Sequence, residues 1–317
     1  MNEFSLIDKY FKHLSLKRED VLLGIGDDAA CLRIADGMSL LVSTDTLVAN
    51  VHFLAQWAPY DIAYRSVMVN VSDIAAMGAQ PCWVTLALTL PEMNADWLSE
   101  FARGLNDALG QFNIALVGGD TTHGPLSITL TIFGQVPHGQ ELRRRGAKPG
   151  DVIFVSGMIG AAALAVKLLD VQDIDAKNKA ELMQKLLSPK PRVDLSNYLR
   201  ATASAAIDIS DGLSADLNHL CVASGVGAYL DAQAIPLHPL ISKYCAEKAI
   251  DLALTGGDDY ELCFTVPEGK VAALMTALKK AELICYPIGV IEAQPGLRMK
   301  TGTNHCEELI PYGYTHF

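Results

Sequence analysis

Apolar residues recur at helical spacing over 4–14 (Phe4, Ile7, Phe11 and Leu14), over 60–77 and over 94–112, which predicts three helices in the first half of the chain. Gly78, with Pro81 beyond it, marks the stop of the second. Between the helices lie short β-rich runs. Residues 39–44 predict a strand ending at Asp45, residues 83–90 a second, and residues 114–117 a third aimed at Gly118 and Gly119. Residues 126–136 alternate and predict a fourth. The segment 139–151 is charged and carries Gly and Pro, and a fresh strand opens at 152–156. That break predicts a domain boundary, with domains at 1–148 and 149–317. The second half again alternates helices (159–169, 177–187, 192–203, 213–224, 238–248, 268–280) with strands (205–209, 227–231, 262–266, 284–290). The fold class expected is α/β (α+β), in two mixed α/β domains.

Composition narrows the function. The chain has 317 residues, half of them hydrophobic, so each domain can bury a core. A net charge of −11 leaves no basic footprint for nucleic acid. It also means that a polyphosphate ligand would need bound cations to invert the local charge. The seven cysteines are scattered without a C-x-x-C pair, which predicts free thiols in a reducing cytoplasm. No apolar stretch reaches membrane-spanning length, and the first residues lack the pattern of a signal peptide.

The candidate chemistry sits in six short acidic motifs: Gly-Ile-Gly-Asp-Asp (24–28), Ser-Thr-Asp-Thr (43–46), Asn-Val-Ser-Asp (70–73), Gly-Gly-Asp-Thr (118–121), Asp-Ile-Ser-Asp-Gly (208–212) and Gly-Gly-Asp-Asp-Tyr-Glu (256–261). Most follow a strand-like run and set Gly, Ser or Thr beside a carboxylate. Hydroxyl and backbone oxygens can then join the carboxylates around Mg²⁺, which in turn brings phosphates. The first motif also fits G-x-G-x-x-A, but two carboxylates inside that loop would repel a pyrophosphate. Asp73 falls within an otherwise apolar helix, where an acid is costly unless paired or metal-bound. For Ser43–Thr46 and for Asp208–Gly212 a plain capping role remains open beside the metal role. Arg143, Arg144, Arg145 and Lys148 form the dense basic cluster, either a solvated loop or a phosphate clamp. The chain has no Walker A sequence, no H-R-D or D-F-G set and no H-E-x-x-H.

These motifs, with Asn-Val-Ser-Asp-Ile-Ala-Ala-Met-Gly-Ala, Leu-Thr-Leu-Pro, Gly-Ala-Lys-Pro-Gly-Asp and Asp-Tyr-Glu-Leu-Cys-Phe, resemble the thiamine-monophosphate kinase family, from Phe4 to the C-terminus. That family belongs to a superfamily that includes aminoimidazole ribonucleotide synthetase. The resemblance implies ATP-dependent phosphorylation of thiamine monophosphate to thiamine diphosphate. It implies several Mg²⁺ ions held by Asp28, Ser43, Thr44, Asp45, Asp73, Asp120, Asp208 and Asp211, with Asp45, Asp73, Asp120 and Asp208 catalytic through the metal. It implies ATP contacts from Gly119, Asp120, Arg144 and Ser210, and thiamine contacts from His52, Asp258 and Tyr314. Asp258 stands where the family often has Glu. The implied protein is a homodimer that pairs its N-terminal sheets, with an active site in the cleft between its domains. Another ATP-using member of the superfamily and a non-catalytic Mg-nucleotide-binding protein are the alternatives.

Overall fold

The computed structural model describes residues 3–12, 14, 18–302 and 305–316. It divides into two compact units. The first holds the described residues up to Ala75 together with Ala79–Gln140, and the second holds Ala76–Gly78 and the chain from Glu141.

The first unit runs α1 (Glu3–Tyr10), β1 (Val21–Leu23), β2 (Cys31–Leu32), β3 (Met38–Val48), α2 (Pro59–Ala76), β4 (Gln80–Leu90), α3 (Ala95–Gln111), β5 (Ala115–His123) and β6 (Ser127–Pro137). Helix α1 is shorter than the spacing predicts. It buries Leu6 and Tyr10, with Phe11 in the turn beyond, rather than Ile7. β1 and β2 form a hairpin, and the other strands make a sheet of order β3-β6-β4-β5 in which only β4 and β5 are parallel. The parallel pair needs a crossover, and α3 supplies it. Asn94 caps α3 by accepting the N–H groups of Asp96 and Trp97.

Helix α2 begins on Pro59, whose missing N–H costs nothing there. It is buried on nearly every side because it is enclosed on two. Ile74 crowds Gly134 of β6, and the carbonyl of Tyr60 fills the place where Gly104 of α3 would carry a Cβ. One face of the sheet is thereby covered. On the other, β3 presents Leu40, Val42, Thr44 and Thr46 to solvent.

Two strands extend beyond their expected ends. β3 pairs with β6 over its whole length, from Met38 opposite Pro137 to Val48 opposite Ser127. Ser43–Thr46 therefore lies inside a strand and not at its end. Cross-strand threonines hold it there, Thr44 to Thr131 at 2.9 Å and Thr46 to Thr129 at 2.8 Å between hydroxyls. Likewise Gly118–Thr121 belongs to β5 itself. A bulge falls where Val84 pairs with Leu116 but Thr85 with Gly118.

The second unit contains β7 (Val152–Val155), α4 (Ala161–Lys167), α5 (Ala176–Leu187), α6 (Ser196–Thr202), β8 (Ala205–Asp208), α7 (Leu213–Ser224), β9 (Gly227–Asp231), α8 (Pro239–Tyr244), α9 (Ala249–Thr255), β10 (Leu262–Val266), α10 (Glu268–Lys280), β11 (Tyr286–Glu292), β12 (Gly296–Thr301) and β13 (His305–Leu309). The expected helix 238–248 breaks at Cys245, and α9 follows it unforeseen. The sheet order is β13-β12-β9-β11-β7-β10-β8. Its central strands are buried on both faces. Ile153, Val155, Ile207 and Cys263 point into a core with α7 and α9, while Phe154, Ala206, Leu262 and Phe264 point into another with α6 and α10. The Phe154 and Phe264 rings stack with centroids 5.4 Å apart. Double burial is why these strands read as continuous apolar runs.

Candidate active site

In the first unit, the strand period of two sorts the candidates. Ser43 and Asp45 point to the face that α2 covers, and Thr44 points to the open face, where its hydroxyl is spent on Thr131. Across from Ser43 and Asp45 stands Asp73 of α2. The Ser43 hydroxyl donates to Asp73 Oδ2 at 2.5 Å. Burial pushes the Asp45 carboxyl up to about 6, and the neighbouring charge of Asp73 adds to the rise. Two half-buried acids that repel each other, with a hydroxyl beside them, are groups that could hold a cation. The structure thus brings together Ser43, Asp45 and Asp73, and separates the Thr44 side chain from them.

Asp120 is exposed on β5, opposite Ala87 of β4. Gly119 has a more local duty than approach to a ligand. At φ 150° its missing Cβ would stand 1.8 Å from the Leu86 carbonyl oxygen, so only glycine lets β5 lie against β4 there. Asp28 is exposed beside Asp27, whose carboxylate accepts the Asp28 N–H. His52 turns Nδ1 back onto the N–H of Val48 at 3.0 Å, which fixes the ring at the end of β3.

In the second unit the remaining candidates gather around the loop after β8. Asp208, 5% exposed, ends that strand opposite Leu262. The Ser210 carbonyl accepts the N–H of Asp258, the Ile209 carbonyl that of Tyr260, and the Asp211 carbonyl that of Tyr314. Burial raises the Asp211 carboxyl; His219 and His316 pull it down, Asp258 pushes it up and Arg144 pulls it down. Arg144 itself is exposed. Tyr314 is 48% exposed, with its ring edge-on to His316. So Asp208, Ser210, Asp211, Asp258, Tyr314 and Arg144 belong to one neighbourhood of this unit.

Beside the foreseen Asp258 stand Tyr260, Asp259, Glu261 and Asp216, for which the sequence predicts no role in the site. Asp258 and Tyr260 both hold positive φ, 70° and 51°, and the Tyr260 hydroxyl donates to Asp258 Oδ1 at 3.1 Å. Asp259 between them accepts the Gly160 N–H at 2.8 Å with each oxygen, and burial raises its carboxyl well above the ordinary carboxylate range. Glu261 is held by the Ser156 hydroxyl at 2.5 Å and by Arg192 at 2.9 Å. Asp216 accepts the N–H groups of Ser210, Asp211 and Gly212; burial pushes it up to about 7 against those three bonds. An acid in the first turn of a helix was the signal for Asp216.

Among the described residues, no group of three or more His, Cys, Asp or Glu could by itself hold a metal ion. Mg²⁺ does not require one. It keeps several waters and binds through one or two carboxylates plus substrate phosphates. The Asp45–Asp73 pair fits that demand, and its mutual repulsion is what a cation would relieve.

Two family models match the chain, "AIR synthase related protein, N-terminal domain" over 26–136 and "AIR synthase related protein, C-terminal domain" over 148–302. Fold and acidic motifs together define an AIR synthase related protein. Thiamine-monophosphate kinase of Escherichia coli (strain K12) is 50% identical over 279 residues, 87% of this chain and 86% of the relative. The solved thiamine-monophosphate kinase of Stenotrophomonas maltophilia K279a superposes with a TM-score of 0.87 at 44% identity, covering 94% of this chain and 96% of its own. AaThiL complexed with AMPPCP and TMP superposes at 0.80 with 31% identity, over 99% and 97%. The chain belongs to the thiamine-monophosphate kinase branch of the AIR synthase related family.

Proposed function

We propose that the protein phosphorylates thiamine monophosphate to thiamine diphosphate at the expense of ATP, as a step of thiamine diphosphate biosynthesis. The likeness to AaThiL complexed with AMPPCP and TMP, along nearly the whole chain, is the observation that carries this reading. The acceptor is a phosphate, already anionic near neutral pH, so the transfer needs no general base. Its obstacle is repulsion between two phosphate groups, and positioning with electrostatic neutralisation supplies the catalysis. That agrees with motifs built of carboxylates and hydroxyls.

In this reading Asp28, Ser43, Asp45, Asp73 and Asp120, with Thr44 limited to its backbone, hold Mg²⁺ on the nucleotide side. Asp208 and Asp211, of the second unit, are Mg²⁺ ligands as well. Bound Mg²⁺ would neutralise the phosphate oxygens and align donor and acceptor. Gly119 and Asp120, with Ser210 and Arg144, contact ATP; the exposed Arg144 fork suits phosphate oxygens. His52, Asp258 and Tyr314 take the thiamine part, whose thiazolium is a cation that a carboxylate and an aromatic face both attract. Residues 1–148 carry most of the nucleotide and metal contacts, His52 and the dimer face, and residues 149–317 carry the other substrate contacts and add Asp208, Ser210 and Asp211.

The open face of the first unit's sheet, with Leu40 and Val42 exposed at 40% and 56%, supports a homodimer built by pairing sheets. The free thiols of all seven cysteines suit the cytoplasm. Among the described residues no helix is long and apolar enough to cross a membrane. A coupled assay of ADP release tests the function. Release should require thiamine monophosphate and a divalent cation together, and ADP release indifferent to thiamine monophosphate would refute it.

A further inference from the structure

The loop Ser210–Gly212 has its backbone engaged almost completely within its own unit. Asp216, 3% exposed on α7, sets Oδ2 at 3.1 Å from Ser210 N, 3.0 Å from Asp211 N and 3.1 Å from Gly212 N. The carbonyls of Ile209, Ser210 and Asp211 accept from Tyr260 at 2.9 Å, Asp258 at 2.9 Å and Tyr314 at 3.1 Å. One carboxylate oxygen thus gathers the donors of the loop, and the loop's acceptors carry the two segments that present Asp258 and Tyr314.

Helix capping alone would not call for this. The N-cap, Gly212, has no side chain to offer, and an acid in the first turn would ordinarily reach back no further than the N-cap N–H. Asp216 reaches back beyond the N-cap to two residues that are not helical. The chain around it leaves little freedom to rearrange. A Cβ on Gly257 would come within 2.3 Å of the Ser210 carbonyl oxygen, and one on Gly313 within 2.7 Å of that of Asp211. Remove the shared acceptor and three N–H groups lose their partner at once, which a half-buried loop answers by shifting toward other partners.

We propose that Asp216 is a positioning residue for the phosphoryl transfer. It holds Ser210–Gly212 in the geometry from which Asp208 and Asp211 reach the metal, and through the same loop it fixes the segments bearing Asp258 and Tyr314. The proposal rests on the metal-binding reading given above for Asp208 and Asp211. A displacement of about 1 Å in such a constellation costs on the order of 100-fold in rate.

The test compares Asp216→Ala, Asp216→Asn and Asp211→Asn in the full chain. Asn keeps an acceptor oxygen in place, and Ala keeps none. In Asp216→Ala, kcat should fall about 100-fold, the Mg²⁺ concentration for half-maximal rate should rise severalfold, and amide exchange over 208–214 should speed up without substrates present. Asp216→Asn should restore most of all three. Wild-type Mg²⁺ half-saturation and loop protection in folded Asp216→Ala would overturn the proposal, as would a defect that Asn fails to rescue. Should Asp216→Ala not fold, Asp216→Glu replaces it, since the added methylene displaces the loop while keeping the charge; wild-type Mg²⁺ half-saturation there overturns the proposal equally. Asp211→Asn separates the two levels. If it leaves Mg²⁺ half-saturation unchanged, the metal reading of this loop fails and the proposal with it. If it shifts and the Asp216 variants do not, positioning alone fails.

Discussion

Asp45→Asn should make the metal-free protein more stable at pH 8, although it removes a residue proposed to act through the metal. The Asp45 carboxyl rises from an ordinary 3.8 to about 6, first through burial and then through Asp73. The folded protein therefore holds this proton to a higher pH than the unfolded chain. Between about pH 4 and pH 6 folding takes up a proton, so stability contributed by this group is full below 3.8 and lost as pH rises through about 6. The gap is worth about 3 kcal/mol, at roughly 1.4 kcal/mol per pH unit. Asparagine has no proton to lose, and its amide can donate to Asp73. Burial of the amide recovers part of the difference, which leaves a gain of about 1–3 kcal/mol above pH 7. Urea denaturation in EDTA would measure it. The variant should lead at pH 8 and converge on the wild type near pH 4.5. Saturating Mg²⁺ should reverse the order, because a ligand that binds only the folded state stabilises it and the variant has lost a carboxylate to bind with. A variant less stable than wild type at pH 8 in EDTA would refute the reasoning, as would a difference that stays constant from pH 8 to pH 4.5.

Other consequences follow from the same geometry. Asp73→Asn and Asp120→Asn should each lower kcat at saturating Mg²⁺ by about 100-fold or more, with the far-UV circular dichroism unchanged; wild-type turnover in both would remove them from the site. Tyr314→Ala should raise the KM for thiamine monophosphate by roughly 3- to 30-fold, the worth of a cation–π contact, and that for ATP by less; the reverse ranking would place the substrate elsewhere. Gly119→Ala should cost about 2 kcal/mol or more in thermal or urea unfolding, since its Cβ would meet the Leu86 carbonyl at 1.8 Å. Gly118→Ala, which meets only Thr85 Cγ2 at 3.8 Å, should cost less than about 1 kcal/mol. Val42→Lys, on the open face of the first unit's sheet, should yield a monomer by sedimentation if that face is where two copies pair.

What the sequence makes legible depends on whether a signal is local. The strand 262–266 and the helix 94–112 are readable because burial and periodicity leave a mark on every residue they contain. The acidic motifs are readable because six of them, with Gly, Ser or Thr beside a carboxylate, recur along one chain. The ends of β3 and β5 are not, because pairing extends them past the point where their apolar pattern stops: Thr46 lies beyond the expected end of its strand until Thr129 stands opposite. The same limit governs the site. Nothing around position 45 in the sequence says that Thr44 faces away while Asp45 meets Asp73, since that depends on which sheet face α2 covers. Gly119 reads as an opening for a ligand, yet its bare Cα answers to the Leu86 carbonyl, a neighbour supplied by another strand. Asp216 shows the point most sharply. In the sequence it is one acid in the first turn of a helix, and only the fold reveals that its oxygen holds three consecutive amides of the loop before that helix. The motif Asp-Ile-Ser-Asp-Gly contains the groups proposed to touch the metal, but the residue that fixes their direction lies four positions beyond its last glycine.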